Sequence, residues 1–296
     1  LEGVVTSTGL LDVDSVPRRL CIIGAGVIGM EFASCFSRLG SEVTVVEFLK
    51  ECLPVLDSDI AKRLRKQVKA DFYMQSCVES IERNDDGSLR VSFSKKNKAQ
   101  TVDADMVLVA TGRAANTEGL NLEAVGVEYG KTGIVVDDNM LTSVGNIYAI
   151  GDVTGKQMLA HAATAMRFRA VNTILGKSDK IRLDIMPSAV FTYPEAATVG
   201  LSEDACKQLG KPCKCLKGYY RANGKALAIA EPEGMVKITA DTDGTILGCT
   251  AYGAHSADMV QEIAALMNCN ATTDDLASII HIHPTLSEIL QDMCLG

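Results

Sequence analysis

The first fifty residues change from one hydrophobic spacing to another. Two short apolar runs, at 20–23 and 43–46, flank a segment from Ile28 to Leu39 in which apolar side chains recur every three or four positions. Short apolar runs of this length predict β-strands, and the wider period predicts an amphipathic helix. Strand, helix and strand in this order indicate a parallel α/β sheet.

A second helix is predicted after the second strand. Asp57 is a candidate N-cap residue because its side chain can accept hydrogen bonds from the first turn. Ile60, Leu64 and Val68 follow at helical spacing and would lie on one face of that helix. This face is expected to pack against the sheet.

The segment 77–102 interrupts the alternation of strands and helices. Its short apolar stretches lie on either side of Asp86 and Gly87, a pair typical of tight turns. This predicts an antiparallel insertion where a doubly wound fold would carry a helix. The apolar strand 106–110 then returns to the parallel sheet, and Gly112 lies at its carboxyl end, where α/β folds bind ligands.

Three glycines connect the first strand to the first helix with the spacing G-x-G-x-x-G. Gly24 permits a tight turn, Gly26 lets the backbone approach a pyrophosphate, and Gly29 lets the helix pack close to its strand. The helix start at Val27 and Ile28 would direct unpaired N–H groups toward the phosphates. We therefore predict a dinucleotide site here. The alternative is an ordinary glycine turn, because a bare glycine motif is weak evidence.

An acidic residue, Glu47, ends the second strand, 23 positions after Gly24. A carboxylate at this place can accept hydrogen bonds from both hydroxyls of an adenine ribose. The same carboxylate would repel the additional phosphate of NADP. The motif therefore favours NAD over NADP.

The composition fits a chain of two or three ordinary domains and narrows its partners. With 29 basic and 37 acidic residues among 296, the net charge is −8, and no basic block suited to nucleic acid is present. No apolar run reaches the ~20 residues of a membrane span. We expect a cytoplasmic protein with neither nucleic-acid nor membrane partners. The ten cysteines are scattered, several of them within apolar runs, and we expect mostly buried, reduced thiols.

A second nucleotide signal lies farther along the chain. The apolar segment 142–152 predicts a buried strand ending in Gly151–Asp152, which would place a carboxylate at a sheet edge, near ribityl or ribose hydroxyls. An ordinary strand-to-turn exit explains the same pair. The apolar helix start at 158–161 could direct N–H groups at an electron-rich ring edge. Together these features suggest a flavin.

The C-terminal segment contains a histidine and a carboxylate that could act as a pair. His283 can exchange a proton near neutral pH, and Glu288 bonded to one ring nitrogen would fix its tautomer and favour the imidazolium. Such a pair can take a proton from a thiol and return it. The alternative is structural, because Thr285 and Glu288 match a capping box at the start of a helix. That alternative leaves His283 without a task, and both can hold.

The order of these segments resembles the pyridine nucleotide-disulfide oxidoreductases and, within them, the dihydrolipoamide dehydrogenases. The segments that carry the similarity are the glycine-rich motif, Gly151–Asp152, 187–203, 222–227 and 281–288. The resemblance implies NAD, FAD and a homodimer, with His283 as the acid–base and Glu288 as the residue that orients it. It also implies oxidation of dihydrolipoamide through a disulfide and FAD to reduce NAD. The implied partners are dihydrolipoyl domains of a 2-oxoacid dehydrogenase or glycine-cleavage complex.

The resemblance assigns further residues one at a time. Glu31 matches a glutamate that pairs with a flavin-side lysine; otherwise it would be a solvated helix carboxylate. Val27 stands where some relatives carry a gating aromatic, so nicotinamide access should be less obstructed. The flavin-side residues that the resemblance implies are Asp152, Met158, Leu159, Ala160 and His161. The run 162–167 and Ala115 depart from the usual sequence of the family.

The implied architecture is α/β with three parts. A Rossmann-like NAD-binding domain with an antiparallel insertion is expected at 14–115, and the C-terminal part of an FAD-binding domain at 116–184. An α+β interface domain, which forms the dimer, is expected at 185–296. Residues 1–13 are expected to be a remnant of the FAD-binding domain or a linker from it.

The family's N-terminal FAD-binding segment, with two redox-active cysteines four residues apart, has no counterpart in this sequence. Cys213 and Cys215 are too close together for that disulfide. The sequence resembles the C-terminal two thirds of the enzyme, and alone it is expected to bind NAD without completing the relay from thiol to nicotinamide. The alternatives are a reductase of the glutathione or mercuric ion type, which Glu47 opposes, and a noncatalytic NAD-binding or dimerisation module.

Overall fold

The predicted strand–helix–strand unit is present in the computed structural model, which describes residues 1–296. The elements of residues 1–112, in chain order, are β1 (Val4–Val5), α1 (Ser7–Leu11), β2 (Arg19–Ile23), α2 (Val27–Arg38), β3 (Glu42–Glu47), α3 (Ser58–Gln67), β4 (Asp71–Met74), β5 (Ser76–Arg83), β6 (Leu89–Lys95), β7 (Lys98–Ala104) and β8 (Met106–Val109). One parallel sheet has the strand order β1-β8-β2-β3-β4. The apolar runs of β2, β3 and β8 lie at its buried centre, as is usual for parallel strands.

Residues 1–13, expected to be a remnant of the FAD-binding domain or a linker from it, pack with this sheet and its covering layer. Strand β1 pairs in parallel with β8, with Val4 opposite Val107. Leu10 of α1 is 1% exposed and lies in the core. A two-residue edge strand carries no periodic signal of its own, and the sequence pattern therefore did not reveal it.

The antiparallel insertion is present as predicted. Strands β5, β6 and β7 form a three-stranded antiparallel sheet, with a turn at Asp86 and Gly87 between the first two. The Asp86 carboxylate accepts a hydrogen bond from the Ser88 N–H at 3.0 Å, which stabilises this turn. Buried side chains of β6 pack with buried side chains of β2, β3 and β8.

Residues 113–186 form a separate small unit. Its elements are β9 (Tyr129–Gly130), β10 (Gly133–Ile134) and α4 (Ala160–Ile174), with 3₁₀ helices at Leu122–Val125 and Gly151–Thr154. Its core includes Met140, Ala162 and Met166. The bounds of this unit lie within three residues of the 116–184 segment that the sequence assigned to an FAD-binding domain.

The segment 142–152 is not the buried strand that its apolar residues predict. Leu141 and Tyr148 form one isolated antiparallel bridge around a turn at 143–146. Gly151–Asp152 lie in a 3₁₀ helix instead of at a strand end. The turn-forming residues inside the apolar run decide the local structure, because glycine and asparagine favour a chain reversal.

Residues 187–296 form an antiparallel sheet with helices, in the same compact unit as residues 1–112. Its elements are β11 (Ser188–Val190), β12 (Ala196–Gly200), α5 (Glu203–Leu209), β13 (Lys214–Tyr219), α6 (Gly224–Ala228), β14 (Met235–Ala240), β15 (Ile246–Tyr252), α7 (Ser256–Asn268), α8 (Thr273–Ser278) and α9 (Glu288–Leu295). The strand order is β11-β12-β15-β14-β13. None of the helices in the protein combines the length and the apolar character that crossing a membrane requires.

Helices α3 and α5 exchange their N-terminal caps. Asp57 precedes α3, as predicted, but its carboxylate accepts the N–H groups of Glu203 and Asp204 at 3.3 and 2.9 Å, at the start of α5. The Asp204 carboxylate in return accepts the N–H of Ser58, in the first turn of α3, at 2.8 Å. First-turn N–H groups of each helix are thus satisfied by a side chain from the other segment.

A buried lysine completes this junction. The side chain of Lys237 in β14 is 2% exposed, and its Nζ lies 3.2 Å from Asp57, 3.1 Å from Asp59 and 2.6 Å from Glu203. Burial alone would lower the pKa of Lys237, but its hydrogen bonds to Glu203 and Asp59 raise it. Hydrogen bonds from Lys207 and Lys237 lower the pKa of Glu203 to about 2. The junction therefore holds a charged lysine opposite charged carboxylates.

The cysteines are less buried than expected. Four are buried, three are exposed and three are intermediate, so the prediction of mostly buried thiols is wrong. The exposed ones are Cys35, Cys77 and Cys269. Their neighbours in the sequence are apolar only in part, and apolar residues nearby do not fix the burial of a cysteine that lies on the outer face of its element.

Candidate functional site

The glycine-rich turn closes against the neighbouring strand. Gly24 has φ +103°, and a Cβ there would lie 2.5 Å from the Ala110 carbonyl oxygen. A Cβ at Gly29 would lie 1.9 Å from the Gly24 carbonyl oxygen, so α2 approaches this closely only with glycine at that position. Gly26, by contrast, has no heavy atom within 4 Å of its Cβ position. Two glycines therefore serve packing, and the third leaves open space for a ligand.

Helix α2 begins at this open position with unpaired amides. Gly26 is its N-cap residue and has no side chain to cap it. Its first helical hydrogen bond runs from the Met30 N–H to the Gly26 carbonyl at 2.9 Å. The N–H groups of Val27, Ile28 and Gly29 precede that bond and can donate to an anion at the helix N-terminus.

The predicted ribose ligand is held in place by the backbone. Glu47 is 8% exposed, and its Oε2 accepts the Ala25 N–H at 2.5 Å. Its Oε1 accepts the Leu49 N–H at 2.6 Å. Each carboxylate oxygen has a second lone pair, so the group can still accept hydrogen bonds from two hydroxyls of a ligand. Glu47 is therefore fixed before any nucleotide binds.

A cavity of about 600 Å³ brings the predicted nucleotide residues together. Gly24, Gly26, Glu47 and Gly112 all line it. Further walls of this cavity come from β5 and from the loop after β3. These additional lining residues include Phe48, Leu49, Pro54, Ser76, Cys77 and Val78. The motif spacing gives no signal for them, because they reach the cavity through the fold.

A second cavity, of about 660 Å³, opens at the opposite edge of the parallel sheet. Arg19, Glu42 and Asp71 are among its lining residues, and they lie at the amino ends of β2, β3 and β4. Open α/β sheets bind nucleotides at the carboxyl ends of their strands. The cavity at Glu47 is therefore the candidate cofactor site, although the other is slightly larger.

The residues at the candidate site fit NAD. An open Cβ position at Gly26 and three free amides would accept a pyrophosphate. The fixed carboxylate of Glu47 would accept the ribose hydroxyls, and the cavity has the size of a cofactor site. Val27 and Ile28 contribute through the helix start, and they do not line the cavity.

Gly26→Ala and Gly29→Ala are expected to separate binding from packing. Gly26→Ala adds a methyl group in open space, so unfolding free energy should stay within about 0.5 kcal/mol while the Kd for NADH rises at least about tenfold. Gly29→Ala should destabilise the protein by about 1–3 kcal/mol, because its methyl overlaps a carbonyl oxygen. Urea unfolding and NADH titration check both variants. Equal NADH affinity in wild type and Gly26→Ala would contradict the pyrophosphate site.

Glu31 connects α2 to the C-terminal half of the unit. Its Oε1 accepts the Phe191 N–H at 2.8 Å, and Ser34 Oγ on the same helix accepts the Tyr193 N–H at 2.9 Å. Glu31 is half-buried and is therefore not the solvated carboxylate of the structural alternative. It does not line the nucleotide cavity. The pairing with a flavin-side lysine stays a prediction.

The flavin-side residues lie in the unit 113–186. Asp152 is exposed in its 3₁₀ helix, and Leu159 is the N-cap of α4, which begins at Ala160, two residues later than the predicted helix start at Met158. His161 follows in the first turn. An exposed carboxylate and a helix N-terminus suit ribityl hydroxyls and a ring edge. These residues fit one edge of a flavin site.

His283 and Glu288 meet as predicted. His283 Nδ1 lies 2.8 Å from Glu288 Oε1, and the histidine side chain is 80% exposed, so Nε2 is accessible from solvent. Glu288 Oε2 accepts the Thr285 N–H at 2.7 Å. Hydrogen bonds from the Thr285 amide and from His283 lower the pKa of Glu288. The carboxylate thus stays charged beside the imidazole.

The capping box of Thr285 and Glu288, the structural alternative, forms only in part. Glu288 does accept the Thr285 N–H, but helix α9 begins at Glu288 and its N-cap residue is Ser287. The Thr285 hydroxyl donates to the Ile282 carbonyl at 2.6 Å instead of capping the helix. One carboxylate therefore serves the loop backbone with one oxygen and His283 with the other.

Comparison with known proteins identifies relatives over the whole chain. A dihydrolipoyl dehydrogenase from Arabidopsis thaliana mitochondria is 39% identical over 301 residues, covering 100% of this chain and 59% of that protein. Dihydrolipoyl dehydrogenase 3 of Pseudomonas putida is 38% identical, covering 100% of this chain and 64% of that protein. The chain thus spans about three fifths of the length of these relatives.

A solved structure has the same fold. The HOCl-induced flavoprotein disulfide reductase RclA of Escherichia coli, in its Cu(II) complex, matches 99% of this chain with a TM-score of 0.90 and 28% identity, and this chain covers 67% of RclA. Residues 2–166 match the pyridine nucleotide-disulphide oxidoreductase model, and residues 186–294 match the dimerisation domain of the same family. The chain therefore belongs to the pyridine nucleotide-disulphide oxidoreductases.

Proposed function

We propose that this protein acts as a dihydrolipoamide dehydrogenase, oxidising a dihydrolipoyl dithiol and reducing NAD. Enzymes of its family use FAD and a nicotinamide dinucleotide. The chain would supply the nicotinamide-nucleotide site at Gly24, Gly26, Gly29 and Glu47, and the acid–base pair His283–Glu288. FAD, when bound, supplies the electron transfer between the thiol and nicotinamide substrates.

The observation that carries the preference for NAD is the fixed carboxylate of Glu47. Its two oxygens are held by the Ala25 and Leu49 amides at the wall of the nucleotide cavity. A carboxylate in this position favours two ribose hydroxyls and opposes a phosphate. The relatives from Arabidopsis thaliana and Pseudomonas putida, which match the whole chain, are both named dihydrolipoyl dehydrogenases.

The acid–base step follows from the accessible Nε2 of His283. A thiolate, and not a thiol, attacks a disulfide, so the dithiol substrate must lose a proton. His283 Nε2 would take that proton, while Glu288 at Nδ1 stabilises the imidazolium that forms. In the reverse reaction, His283 would return this proton to a sulfur of the dithiol substrate.

The proposed partners are a second copy of the chain and dihydrolipoyl domains. The match of residues 186–294 to a dimerisation domain supports a homodimer. His283 lies within this segment with its side chain 80% exposed, so it can reach a substrate held against the partner subunit. The dihydrolipoyl domains would come from a 2-oxoacid dehydrogenase or glycine-cleavage complex.

Glu47→Ala is expected to lower the preference for NADH over NADPH at least about tenfold, because both the ribose acceptor and the negative charge disappear. Glu47→Gln is the companion variant, since its amide oxygen can still accept one backbone N–H. Titrations that follow nucleotide fluorescence give both affinities, and the absence of tryptophan removes indole emission. Discrimination that stays unchanged in both variants would rule out the ribose-ligand role.

A second candidate function is supported by the similarity to RclA. Its flavoprotein disulfide reductase fold matches this chain with a TM-score of 0.90, so a reductase with another disulfide or metal substrate, such as glutathione or mercuric ion, fits the same scaffold. NADPH as the preferred donor would favour this candidate.

A noncatalytic NAD-binding or dimerisation module is the remaining candidate. A visible absorption spectrum after desalting separates it, because bound flavin together with dihydrolipoamide activity excludes a module.

A further inference from the structure

The loop that carries His283 contains a second histidine that the acid–base step does not use. His281 Nε2 lies 2.9 Å from Glu262 Oε1, and His281 Nδ1 lies 3.0 Å from the Ile279 carbonyl oxygen. The side chain of His281 is 4% exposed, whereas that of His283 is 80% exposed. Two histidines separated by one residue thus point in opposite directions, one inward and one outward.

We propose that His281 and Glu262 are a positioning pair, in which the two polar contacts of His281 fix the loop that presents His283 to substrate. This inference rests on the acid–base role proposed for His283. In this proposal His281 acts on catalysis through the loop, by its contacts with Glu262 and the Ile279 carbonyl.

Both ring nitrogens of His281 have an oxygen partner. Nε2 faces the Glu262 carboxylate at 2.9 Å and Nδ1 faces the Ile279 carbonyl oxygen at 3.0 Å, so the buried ring is held at two points. One of these contacts reaches helix α7 and the other lies within the loop itself. Glu288 is the other carboxylate whose charge acts on this loop.

The loop depends on polar anchors. It runs from the end of α8 at Ser278 to the start of α9 at Glu288. Two of its large apolar side chains, Ile280 and Ile282, are 94% and 79% exposed, so they contribute little burial within this chain. The inward contacts are instead the His281 pair, the hydrogen bond from Asn223 to the Thr285 carbonyl at 3.0 Å, and buried Leu286.

Glu262 connects the loop to a rigid element. It lies on α7, whose buried side chains Met259, Val260 and Ile263 face the core of the C-terminal half. Two residues of chain span at most about 7 Å, so a shift of His281 moves the backbone of His283 with it. A displacement of about 1 Å at a catalytic group can cost about a hundredfold in rate.

The first test observes the pair directly in the wild-type protein. The chain has only four histidines, so ¹⁵N-labelled histidine gives a spectrum that four single variants assign. Because both ring nitrogens have a partner and the side chain is 4% exposed, the ring N–H of His281 should exchange with solvent far more slowly than that of His283, which is 80% exposed. Exchange at His281 as fast as at His283 would overturn the proposal. The variants serve only to assign the resonances, and this measurement needs no activity.

The second test compares two carboxylate-to-amide changes on α7. Glu262→Gln should lower kcat for dihydrolipoamide about 10- to 100-fold in the flavin-loaded enzyme, with NADH-dependent flavin reduction unchanged. It should also move the His283 ring resonances. Asp258→Asn is the matched control, because Asp258 pairs with His255 at 3.5 Å on the surface, with side chains 86% and 67% exposed, and should change neither.

The outcomes separate this inference from the proposed function. Unchanged His283 resonances and unchanged kcat in Glu262→Gln would refute the positioning role. Equal losses in thiol oxidation and flavin reduction would refute it as well, because a positioning role is specific to the thiol step. If His283→Gln leaves thiol turnover intact, the proposed function fails, while the resonance test of the pair remains valid.

Discussion

Replacing Lys237 with methionine is expected to destabilise the protein by about 3–5 kcal/mol, since removing one partner of a buried ion pair leaves the others uncompensated. The carboxylates left behind are Asp57, which is 1% exposed, Glu203 and Asp59. Methionine has a similar length and fills the space, so lost packing contributes little. Urea unfolding followed by circular dichroism measures the change.

Lys207→Met is the matched control for this prediction. Lys207 binds the same Glu203 at 2.6 Å, but its side chain is 64% exposed. Exposed pairs contribute about 0–1 kcal/mol, so this variant should stay within that range. A loss in Lys237→Met no larger than that in Lys207→Met would show that burial of the lysine contributes no stability.

The pH dependence of stability provides a further check on Lys237. The folded pKa of Glu203, about 2, lies below its ordinary value of 4.5. A carboxyl group whose pKa is lower in the folded state stabilises that state at pH values above its ordinary pKa. This contribution is lost as the pH falls from the ordinary pKa toward the folded pKa. Wild-type stability should therefore decline between about pH 4.5 and 2, and Lys237→Met should show a smaller decline.

His283→Gln in the flavin-loaded enzyme is expected to slow the thiol half-reaction about 10²–10⁴-fold, the usual contribution of general acid–base catalysis. Glutamine can still hydrogen-bond Glu288 but cannot take a proton. Rapid-mixing absorbance with dihydrolipoamide measures this half-reaction. NADH-dependent flavin reduction is the internal control, because it involves no thiol proton.

Glu288→Gln is the companion to this variant. In the wild type, Glu288 accepts the Thr285 N–H at 2.7 Å, and the glutamine retains an acceptor for it. The change therefore removes only the charge beside His283. Its effect on the thiol half-reaction should be smaller than that of His283→Gln, since the base is still present. Equal losses in the thiol and NADH half-reactions of His283→Gln would count against the acid–base role.

Local spacing predicted the geometry of the candidate nucleotide site. The turn at Gly24, Gly26 and Gly29 and the carboxylate of Glu47 are fixed by residues within one strand–helix–strand unit, so their geometry follows from the order of residues. The His283–Glu288 contact is local for the same reason, with the two residues five positions apart. The insertion around Asp86–Gly87 carried its own turn signal.

Contacts between residues far apart in the sequence could not be predicted from local sequence patterns. Asp57 was predicted to cap its own helix, and its carboxylate instead bonds amides 146 and 147 positions away. Lys237 sits in a strand whose six residues are all buried and otherwise uncharged, where sequence pattern offers no reason to expect an ion pair. The prediction of a buried strand at 142–152 was wrong for a different reason. The turn-forming residues at the centre of this run outweigh its hydrophobicity.

The exchanged caps of α3 and α5 have a consequence for how the chain folds as it is made. Ser58 and Asp204 are 146 residues apart, a length that takes roughly 7–30 s to synthesise at about 5–20 residues per second. Until Asp204 has left the ribosome, the first turn of α3 lacks its native acceptor. Residues 1–112 can begin to fold early, but the first turn of their third helix, α3, is completed only when the C-terminal half arrives.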